Sequence, residues 1–196
     1  MNPDAVRLAP CPTGVVERPI AMPEGAVGDI NSTAKGTAAR YNAGKAPLDL
    51  IPFQIIADLY AARAMLPSGS DKRDLVAVLE RLGQFQETGR RQDLLAAFLA
   101  LGPLKETLEA CARVFAYGKK KYAAWNWAKG MAWSIPLACA GRHIVFGLLA
   151  GEETDPESGE SHIGHVACNI VMELVFLRNF PEGNDLPSPE LFKAAA

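Results

Sequence analysis

The chain has 196 residues, of which 49% are hydrophobic, so it can form one ordinary globular domain with a substantial core. The net charge of −2 excludes a global basic field that would recruit nucleic acid, and an anionic ligand would have to meet a local cluster of cations. No signal-peptide pattern opens the sequence, and no apolar run approaches the roughly 20 residues that span a bilayer. With four widely spaced cysteines, we expect a soluble cytoplasmic protein with free thiols.

The sequence predicts three regions along the chain. Residues 1–40 are rich in Pro, Gly, Ala and Thr without a sustained period, which predicts a flexible or loosely docked arm, or an extended segment that wraps the domain or a partner subunit. Residues 41–180 contain segments with helical periodicity separated by loops and are predicted to form the helical domain. Residues 181–196 are predicted to be a C-terminal tail.

Three helices are predicted in the first half of the helical domain. Pro52 suits the first turn of the first helix, and Asp71 is a candidate cap for the second. Apolar residues recur at helical spacing on one face of each helix. They are Ile55, Ile56, Leu59, Ala62 and Met65 in the first helix, Leu75, Val78, Leu79 and Leu82 in the second, and Leu94, Leu95, Phe98 and Leu99 in the third.

Three more helices are predicted in the second half. The fourth runs from about Leu104 to Tyr117, where Gly118 is well placed to end it. The fifth and sixth span about residues 134–150 and 161–179. Because no alternating strand pattern of convincing length occurs, the predicted fold class is all-α, a bundle of helices.

All three histidines fall within residues 143–165, and two of them lie on the predicted sixth helix. On that helix His162, Asn169 and Glu173 project within about 40° of one another, with His165 about 60° to one side. The remaining positions are apolar, so the helix is expected to be buried, and each unpaired polar group would cost roughly 1–3 kcal/mol. This stripe predicts a site inside the bundle. The alternative is a set of core histidines satisfied by neighbouring carboxylates.

The loop before the sixth helix is rich in acids. Glu152, Glu153, Asp155 and Glu157 would repel one another unless a cation or basic groups offset their charge. Glu152 and Asp155 are predicted to be metal ligands or water-activating groups, because they lie between the helices that carry the histidines. Glu153 is expected to be solvated, and the alternative for the whole loop is a solvated surface turn.

A segment rich in cations and aromatic residues, 119–130, precedes the predicted fifth helix. Trp125 and Trp127 offer flat faces, and Asn126 offers a donor and an acceptor to the edge of a base. With nearby cations the segment suits an aromatic ring attached to phosphates. Core packing or a solvated helix end remains the alternative. Arg142 is expected either to clamp a phosphate or to pair with Glu152.

Short motifs with set spacing stand along the chain. They are Gly44-Lys45-x-x-x-Asp49-Leu50-Ile51-Pro52, Tyr117-Gly118-x-x-Lys121-Tyr122-x-x-x-Asn126-Trp127-x-x-Gly130, Arg142-His143, Gly151-Glu152-x-x-Asp155-x-Glu157-Ser158-Gly159 and His162-x-x-His165-x-x-x-Asn169. Together they resemble the phage and bacterial dATP/dGTP diphosphohydrolases, the MazZ-type relatives of the MazG-like all-α nucleotide pyrophosphohydrolases. The resemblance covers about residues 42–52 and 104–180. It departs from the family in residues 53–103, which look like an inserted helical segment, and in lacking the paired-helix EExxE and ExxD pattern of MazG.

The resemblance implies a MazG-like helical bundle with a catalytic site in residues 41–180. It implies hydrolysis of dGTP or dATP to the monophosphate and pyrophosphate with Mg²⁺ or Mn²⁺. In phages whose DNA contains diaminopurine, it also implies a supply of dGMP for the synthesis of that DNA. The expected catalytic and metal-binding residues are Glu152, Asp155, His162 and His165, the histidines being either ligands or general bases. The expected substrate-binding residues are Lys45, Lys121, Tyr122, Asn126, Trp127, Lys129, Arg142, His143 and Asn169, with the base near Tyr122, Trp125 or Trp127.

Two other functions remain open from the sequence. One is a helical metal-dependent phosphohydrolase of another specificity, and the other is a nucleotide-binding module without catalysis. Nucleic acid is an unlikely partner, although the Lys/Trp segment keeps it open. Apolar residues on several helices exceed the needs of one core, so a homodimer or tetramer is expected.

Overall fold

The computed structural model describes residues 21, 24, 26–67 and 72–192, and the chain divides into two compact units, Met1–Lys45 and Ala46–Ala196. Most of the predicted N-terminal arm therefore lies outside the described residues. In the first unit, strand β1 (Ala26–Val27) pairs antiparallel with strand β2 (Arg40–Tyr41). Strands of two residues are too short to give an alternating sequence pattern, which explains why they were not predicted.

The described residues of the second unit form six α-helices, which confirms the predicted all-α class. They are α1 (Phe53–Ala64), α2 (Leu75–Thr88), α3 (Arg91–Leu99), α4 (Leu104–Tyr122), α5 (Ser134–Arg142) and α6 (His162–Asn179). Shorter helical turns span Leu48–Leu50, Asn126–Lys129, His143–Gly147, Leu148–Ala150, Pro181–Gly183 and Pro189–Phe192. Among the described residues, no helix combines the length and the apolar character that crossing a membrane requires.

Helix α6 lies at the centre of this unit and packs against α3, α4 and α5. Its apolar side chains are buried on nearly every face, as the sequence predicted, and Ser161 caps its first turn by accepting from the Ile163 N–H. A Cβ at Gly164 would lie 2.6 Å from the carbonyl oxygen of Ala110 on α4. Glycine at this position therefore allows α4 and α6 to cross closely.

Three local predictions need correction. Helix α4 does not end at Gly118 but continues to Tyr122, because three lysines favour a helix C-terminus by more than one glycine disfavours its interior. Met65 was expected on the buried face of α1, yet it follows the last helical residue and is 85% exposed. Helix α2 is capped by Asp74, whose side chain accepts from the Ala77 N–H; the predicted cap, Asp71, lies outside the described residues.

The segment 53–103 contains α1, α2 and α3, and its apolar residues belong to the same core as α6. Leu94 and Phe98 of α3 are fully buried. Arg73, just before α2, donates to Glu153 at 2.9 Å and thereby contacts the acidic loop. These contacts connect the segment to the region that carries the histidines.

Candidate active site

The predicted fifth helix is α-helical only as far as Arg142, the residue before His143. After α5 the chain forms one π-helical turn at His143–Gly147 and then a 3₁₀ turn. Such π-turns insert an extra residue and are frequent at functional sites. A Cβ at Gly147 would lie 2.7 Å from the ring of His162, so glycine lets this imidazole pack directly on the backbone. The π-turn and Gly147 together bring His143 and His162 into contact.

The two imidazoles of His143 and His162 face each other through the same ring nitrogen. Their Nδ1 atoms are 2.8 Å apart. His162 is buried, and its Nε2 has no hydrogen-bond partner among the described residues, although Glu152 Oε2 lies 3.8 Å away. Two ring nitrogens at this separation either share one proton or bind one ion.

The acidic loop is held against this pair by backbone hydrogen bonds. Thr154 and Ser161 form an antiparallel bridge, Asp155 N donates to Glu160 O at 2.9 Å, and His162 N donates to Glu153 O at 3.0 Å. Glu153 is exposed, as predicted, and pairs with Arg73. The loop is therefore an ordered hairpin that fixes the position of Asp155 beside the histidines.

Ser158 joins Asp155 to the third histidine. Asp155 Oδ2 accepts from Ser158 N at 2.9 Å and from Ser158 Oγ at 2.7 Å, and the same Oγ lies 2.8 Å from His165 Nε2. The ring of His165 stacks on that of His143, with centroids 4.3 Å apart. The three histidines and Asp155 thus form one connected cluster at the start of α6.

The ionisation states in this cluster suit a cation. Burial lowers the pKa of His143 to about 4, assisted by the other two histidines, and burial also lowers the pKa of His165. Burial alone would raise the pKa of Asp155, but the two hydrogen bonds from Ser158 outweigh it and hold that pKa below its usual value. At neutral pH these groups are therefore uncharged imidazoles and a carboxylate, which are the forms that bind metal ions.

The donor atoms of His143, Asp155 and His162 lie within 4.8 Å of one another. Two ligand atoms that each lie about 2.1 Å from an ion and bind it at a right angle are about 3 Å apart, close to the separation of the two Nδ1 atoms. The orphaned Nε2 of His162 would point its N–H toward Glu152, leaving Nδ1 for the ion. These residues fit a divalent ion, and two imidazoles with one carboxylate favour Mn²⁺ over Mg²⁺, which prefers oxygen ligands.

A cavity of about 740 Å³ opens beside the cluster. Its lining includes Asp155, His143 and His165, which we call the histidine end, and aromatic residues from the α4–α5 connection, which we call the aromatic end. A volume in this range accommodates a small-molecule ligand of nucleotide size.

The aromatic end of the cavity is built on unusual backbone. Ala123 has φ 81° and Trp125 has φ 61°, and these are the non-glycine residues with positive φ among those described. The indole of Trp125 is 41% exposed and rests on Trp127, with centroids 5.8 Å apart. Trp127 itself is buried between Phe115 and Phe176, which makes it part of the core as well as of the lining.

Cations also line the cavity. Lys119, Lys121 and Arg142 contribute to the lining, together with Glu157. Lys121 Nζ donates to Glu157 Oε1 at 2.7 Å, which raises the pKa of Lys121. Arg142 donates to Cys139 Sγ at 2.9 Å and makes no ion pair with Glu152 in the described part of the chain. Its guanidinium is therefore available to a phosphate.

Most of the predicted site residues meet at this cavity, and the others lie behind or outside it. The lining includes Asp155, His165, Lys121, Tyr122, Asn126, Trp127, Arg142, His143 and Asn169. His162 is buried behind His143, and Glu152 lies next to His162 with 60% of its side chain exposed. Lys129 is exposed outside the lining, and Lys45 belongs to the first unit, where it donates to Tyr41 O.

The sequence assigned no role to Ser158 and a different role to His143, and both residues shape the site. Ser158 lies in the acidic motif, three residues after Asp155. An aspartate side chain in a turn often accepts a hydrogen bond from a backbone N–H a few residues later, so this spacing could have predicted the contact. His143 was expected to bind substrate, whereas the structure groups it with Asp155 and His162 as a candidate ligand. The π-turn places His143 against His162. Such a turn cannot be predicted from the periodicity of the sequence, so this contact was not expected.

The fold and site define a helical-bundle protein with a histidine–carboxylate centre beside a nucleotide-sized cavity. The family model for the dATP/dGTP diphosphohydrolases, N-terminal, matches residues 83–186, and the chain therefore belongs to this family. The predicted family is thus confirmed, and the chain is an enzyme, a nucleoside triphosphate pyrophosphohydrolase. Searches of curated proteins and of solved structures find no match to the chain.

Proposed function

We propose that the chain hydrolyses dGTP or dATP in this cavity, releasing the monophosphate and pyrophosphate, with a divalent ion held by His143, Asp155 and His162. The observation that carries the proposal is that ligand atoms of these three residues lie close together beside a cavity whose lining also contains aromatic side chains. This ligand set differs from the predicted one in including His143. Glu152 and His165 as ligands stay predictions.

When bound, the ion would supply charge stabilisation at the phosphate oxygens and lower the pKa of a water molecule. The residues of the chain perform the other tasks. His165 accepts the proton of the attacking water, because it is neutral at pH 7 and lines the cavity beside Asp155. One bond between the α- and β-phosphates breaks as one bond from water to phosphorus forms.

The cations and the aromatic residues position the nucleotide. Arg142 offsets charge on the phosphates, and Lys121 does the same once the nucleotide displaces Glu157 from it. Trp125 and Tyr122 present exposed rings for stacking on the base, whereas Trp127 supports Trp125 from beneath. Asn126 and Asn169 line the cavity and are available to hydrogen-bond the base or sugar.

A panel of nucleotides tests this proposal. The purified full chain would be incubated with each deoxy- and ribonucleoside triphosphate in Mg²⁺ or Mn²⁺, and the products separated by ion-exchange chromatography. We expect purine deoxynucleoside monophosphate with equimolar pyrophosphate, faster in Mn²⁺. Orthophosphate or triphosphate as product would contradict the proposal in favour of another phosphohydrolase. Binding of dGTP without turnover would identify a binding module.

Three further properties stay predictions. The supply of dGMP for diaminopurine-containing phage DNA depends on which base the enzyme prefers. The choice between guanine, adenine and diaminopurine depends on exocyclic groups that one or two side chains such as Asn126 would read. Assembly into a homodimer or tetramer is testable by light scattering at micromolar concentration.

A further inference from the structure

The hydroxyl of Ser158 is the centre of a small hydrogen-bond network inside the candidate active site. Its Oγ lies 2.7 Å from Asp155 Oδ2, 2.8 Å from His165 Nε2 and 3.1 Å from the backbone nitrogen of Glu160. The Ser158 backbone N–H also donates to Asp155 Oδ2. Ser158 is half-buried, and all four contacts come from the ordered hairpin or from the first turn of α6.

The protons in this network can be assigned by counting donors and acceptors. A serine hydroxyl has one proton to donate and two lone pairs to accept with. Asp155 Oδ2 already accepts from the Ser158 backbone N–H, and a carboxylate oxygen can only accept, so the hydroxyl proton points to this atom. The Glu160 N–H can only donate and uses one lone pair. The second lone pair faces His165 Nε2, and that contact is a hydrogen bond only if Nε2 carries a proton.

We propose that Ser158 is a positioning residue that fixes His165 in its Nε2–H tautomer and leaves Nδ1 as the only lone pair of that ring. The same serine occupies Asp155 Oδ2 twice and leaves Oδ1 as the oxygen free to bind a cation. The assignment of the tautomer depends only on the contacts of Ser158. Its consequence for catalysis rests on the proposed function.

That consequence is a division of labour among the histidines. If Nε2 of His165 is protonated and engaged, the proton of the attacking water must go to Nδ1. The hydrogen bonds from His165 to Ser158 and from Ser158 to Asp155 then let the carboxylate stabilise the imidazolium that forms. The positively charged ring donates to the serine hydroxyl, and the hydroxyl donates to the negatively charged carboxylate. His143 and His162, which face each other through Nδ1, are left to hold the ion.

The tautomer can be measured in the metal-free protein without any assay of turnover. With three histidines in the chain, long-range ¹H–¹⁵N spectra of the ¹⁵N-histidine-labelled full chain after chelation give one pattern for each ring, and a His165→Gln variant assigns the signals. We expect the Nε2–H pattern for His165 at pH 8. An Nδ1–H pattern, or a fast-exchanging mixture of both tautomers, would overturn the inference.

The Ser158→Ala variant tests whether the serine is responsible. We expect mixed tautomers for His165 and about tenfold weaker Mn²⁺ binding by calorimetry, the lower range for loss of a partner of a metal ligand. Ser158→Thr keeps the hydroxyl and should restore both. A matched control is Ser134→Ala, because Ser134 donates through N–H and Oγ to one carboxylate, Asp185, without a histidine. It should leave both readouts unchanged.

The outcomes separate this inference from the proposed function. An unchanged tautomer and unchanged Mn²⁺ affinity in Ser158→Ala would overturn the role of the serine. If that variant does not fold, the tautomer of the wild-type protein still decides the proton assignment. A wild-type Nε2–H pattern in a protein that hydrolyses no nucleotide would uphold the assignment and contradict the proposed function. Hydrolysis by a protein with the other tautomer would do the reverse.

Discussion

The two ends of the cavity are built in opposite ways. At the histidine end, buried or half-buried side chains are fixed by hydrogen bonds and ring stacking, and His143, Asp155 and His162 converge within 4.8 Å. At the aromatic end, Tyr122 is the last residue of α4 and is 60% exposed, and Trp125, which is 41% exposed, lies in a loop with unfavourable backbone angles. Chemistry that needs fixed ionisation states belongs to the first end, whereas the second end suits reversible contact with a flat ligand.

The largest expected effect comes from removing the charge at the histidine end. Asp155→Asn should lower kcat by at least about 10³-fold, because the candidate metal site loses its half-buried carboxylate donor and the acceptor for Ser158. Steady-state kinetics with dGTP in Mn²⁺, with far-UV circular dichroism to verify the fold, measures this. Chelation with EDTA should abolish turnover in the wild-type protein.

The neighbouring acid Glu153 provides the matched control for Asp155. It lies in the same hairpin, but its side chain is exposed and pairs with Arg73. Glu153→Gln should therefore leave kcat close to that of the wild-type protein. Equal losses in the two variants would mean that the loop needs its total charge and not the carboxylate of Asp155.

A second prediction uses Glu173, which is buried on α6 like the histidines but lies outside the cavity lining. Its two carboxylate oxygens have no hydrogen-bond partner among the described residues, and burial raises its pKa to about 8, with Asp185 adding to the effect. The unfolded state releases the proton near its ordinary value of 4.5, so stability is full below that pH and falls as pH rises toward 8.

Glu173→Gln should remove this dependence, because the amide does not ionise. Between pH 5 and 8 the free energy of unfolding of the wild-type protein should fall by on the order of a few kcal/mol more than that of the variant. Urea denaturation across this range measures both curves, and other titrating groups cancel in the difference. Parallel curves would show that Glu173 is solvated or paired. The result distinguishes a polar residue buried in the core from those that serve the site.

A third prediction concerns the aromatic end. Trp125→Ala should raise KM for dGTP about 10- to 100-fold with a much smaller change in kcat, because stacking of a base on an aromatic ring contributes roughly 1–3 kcal/mol. Tyr60→Ala is the control, since Tyr60 is exposed on α1 and does not line the cavity. A loss confined to kcat would place Trp125 in the chemistry and contradict the difference between the two ends.

How far the sequence predicts this molecule depends on whether a feature is local. The helices and the buried stripe of α6 follow from periodicity, and His162 and His165 were assigned to that stripe because most other positions of the helix are apolar. The meeting of His143 with His162 depends on a π-turn and on a close approach at Gly147, neither of which has a period. The end of α4 was missed because Ala123 takes a strained positive φ there, a conformation that local propensity assigns to glycine.

That strain yields the smallest predicted effect. Ala123 has φ 81° and ψ 157°, a region that side chains other than glycine rarely adopt and that costs of order 1–3 kcal/mol. Ala123→Gly removes this cost but adds entropy to the unfolded chain, roughly 0.5–1 kcal/mol, so the variant should be about 1 kcal/mol more stable. Its neighbour Ala124 has no positive φ, and Ala124→Gly should be destabilising by a similar amount.

Urea denaturation of the two glycine variants decides whether the aromatic end stores strain. If Ala123→Gly is stabilising and also raises KM for dGTP a few-fold, the loop is held in an unfavourable conformation that presents Trp125 to the base. Destabilisation by both substitutions would show that the loop is relaxed. The two ends of the cavity would then not differ in backbone strain, and the exposure of Trp125 alone would distinguish them.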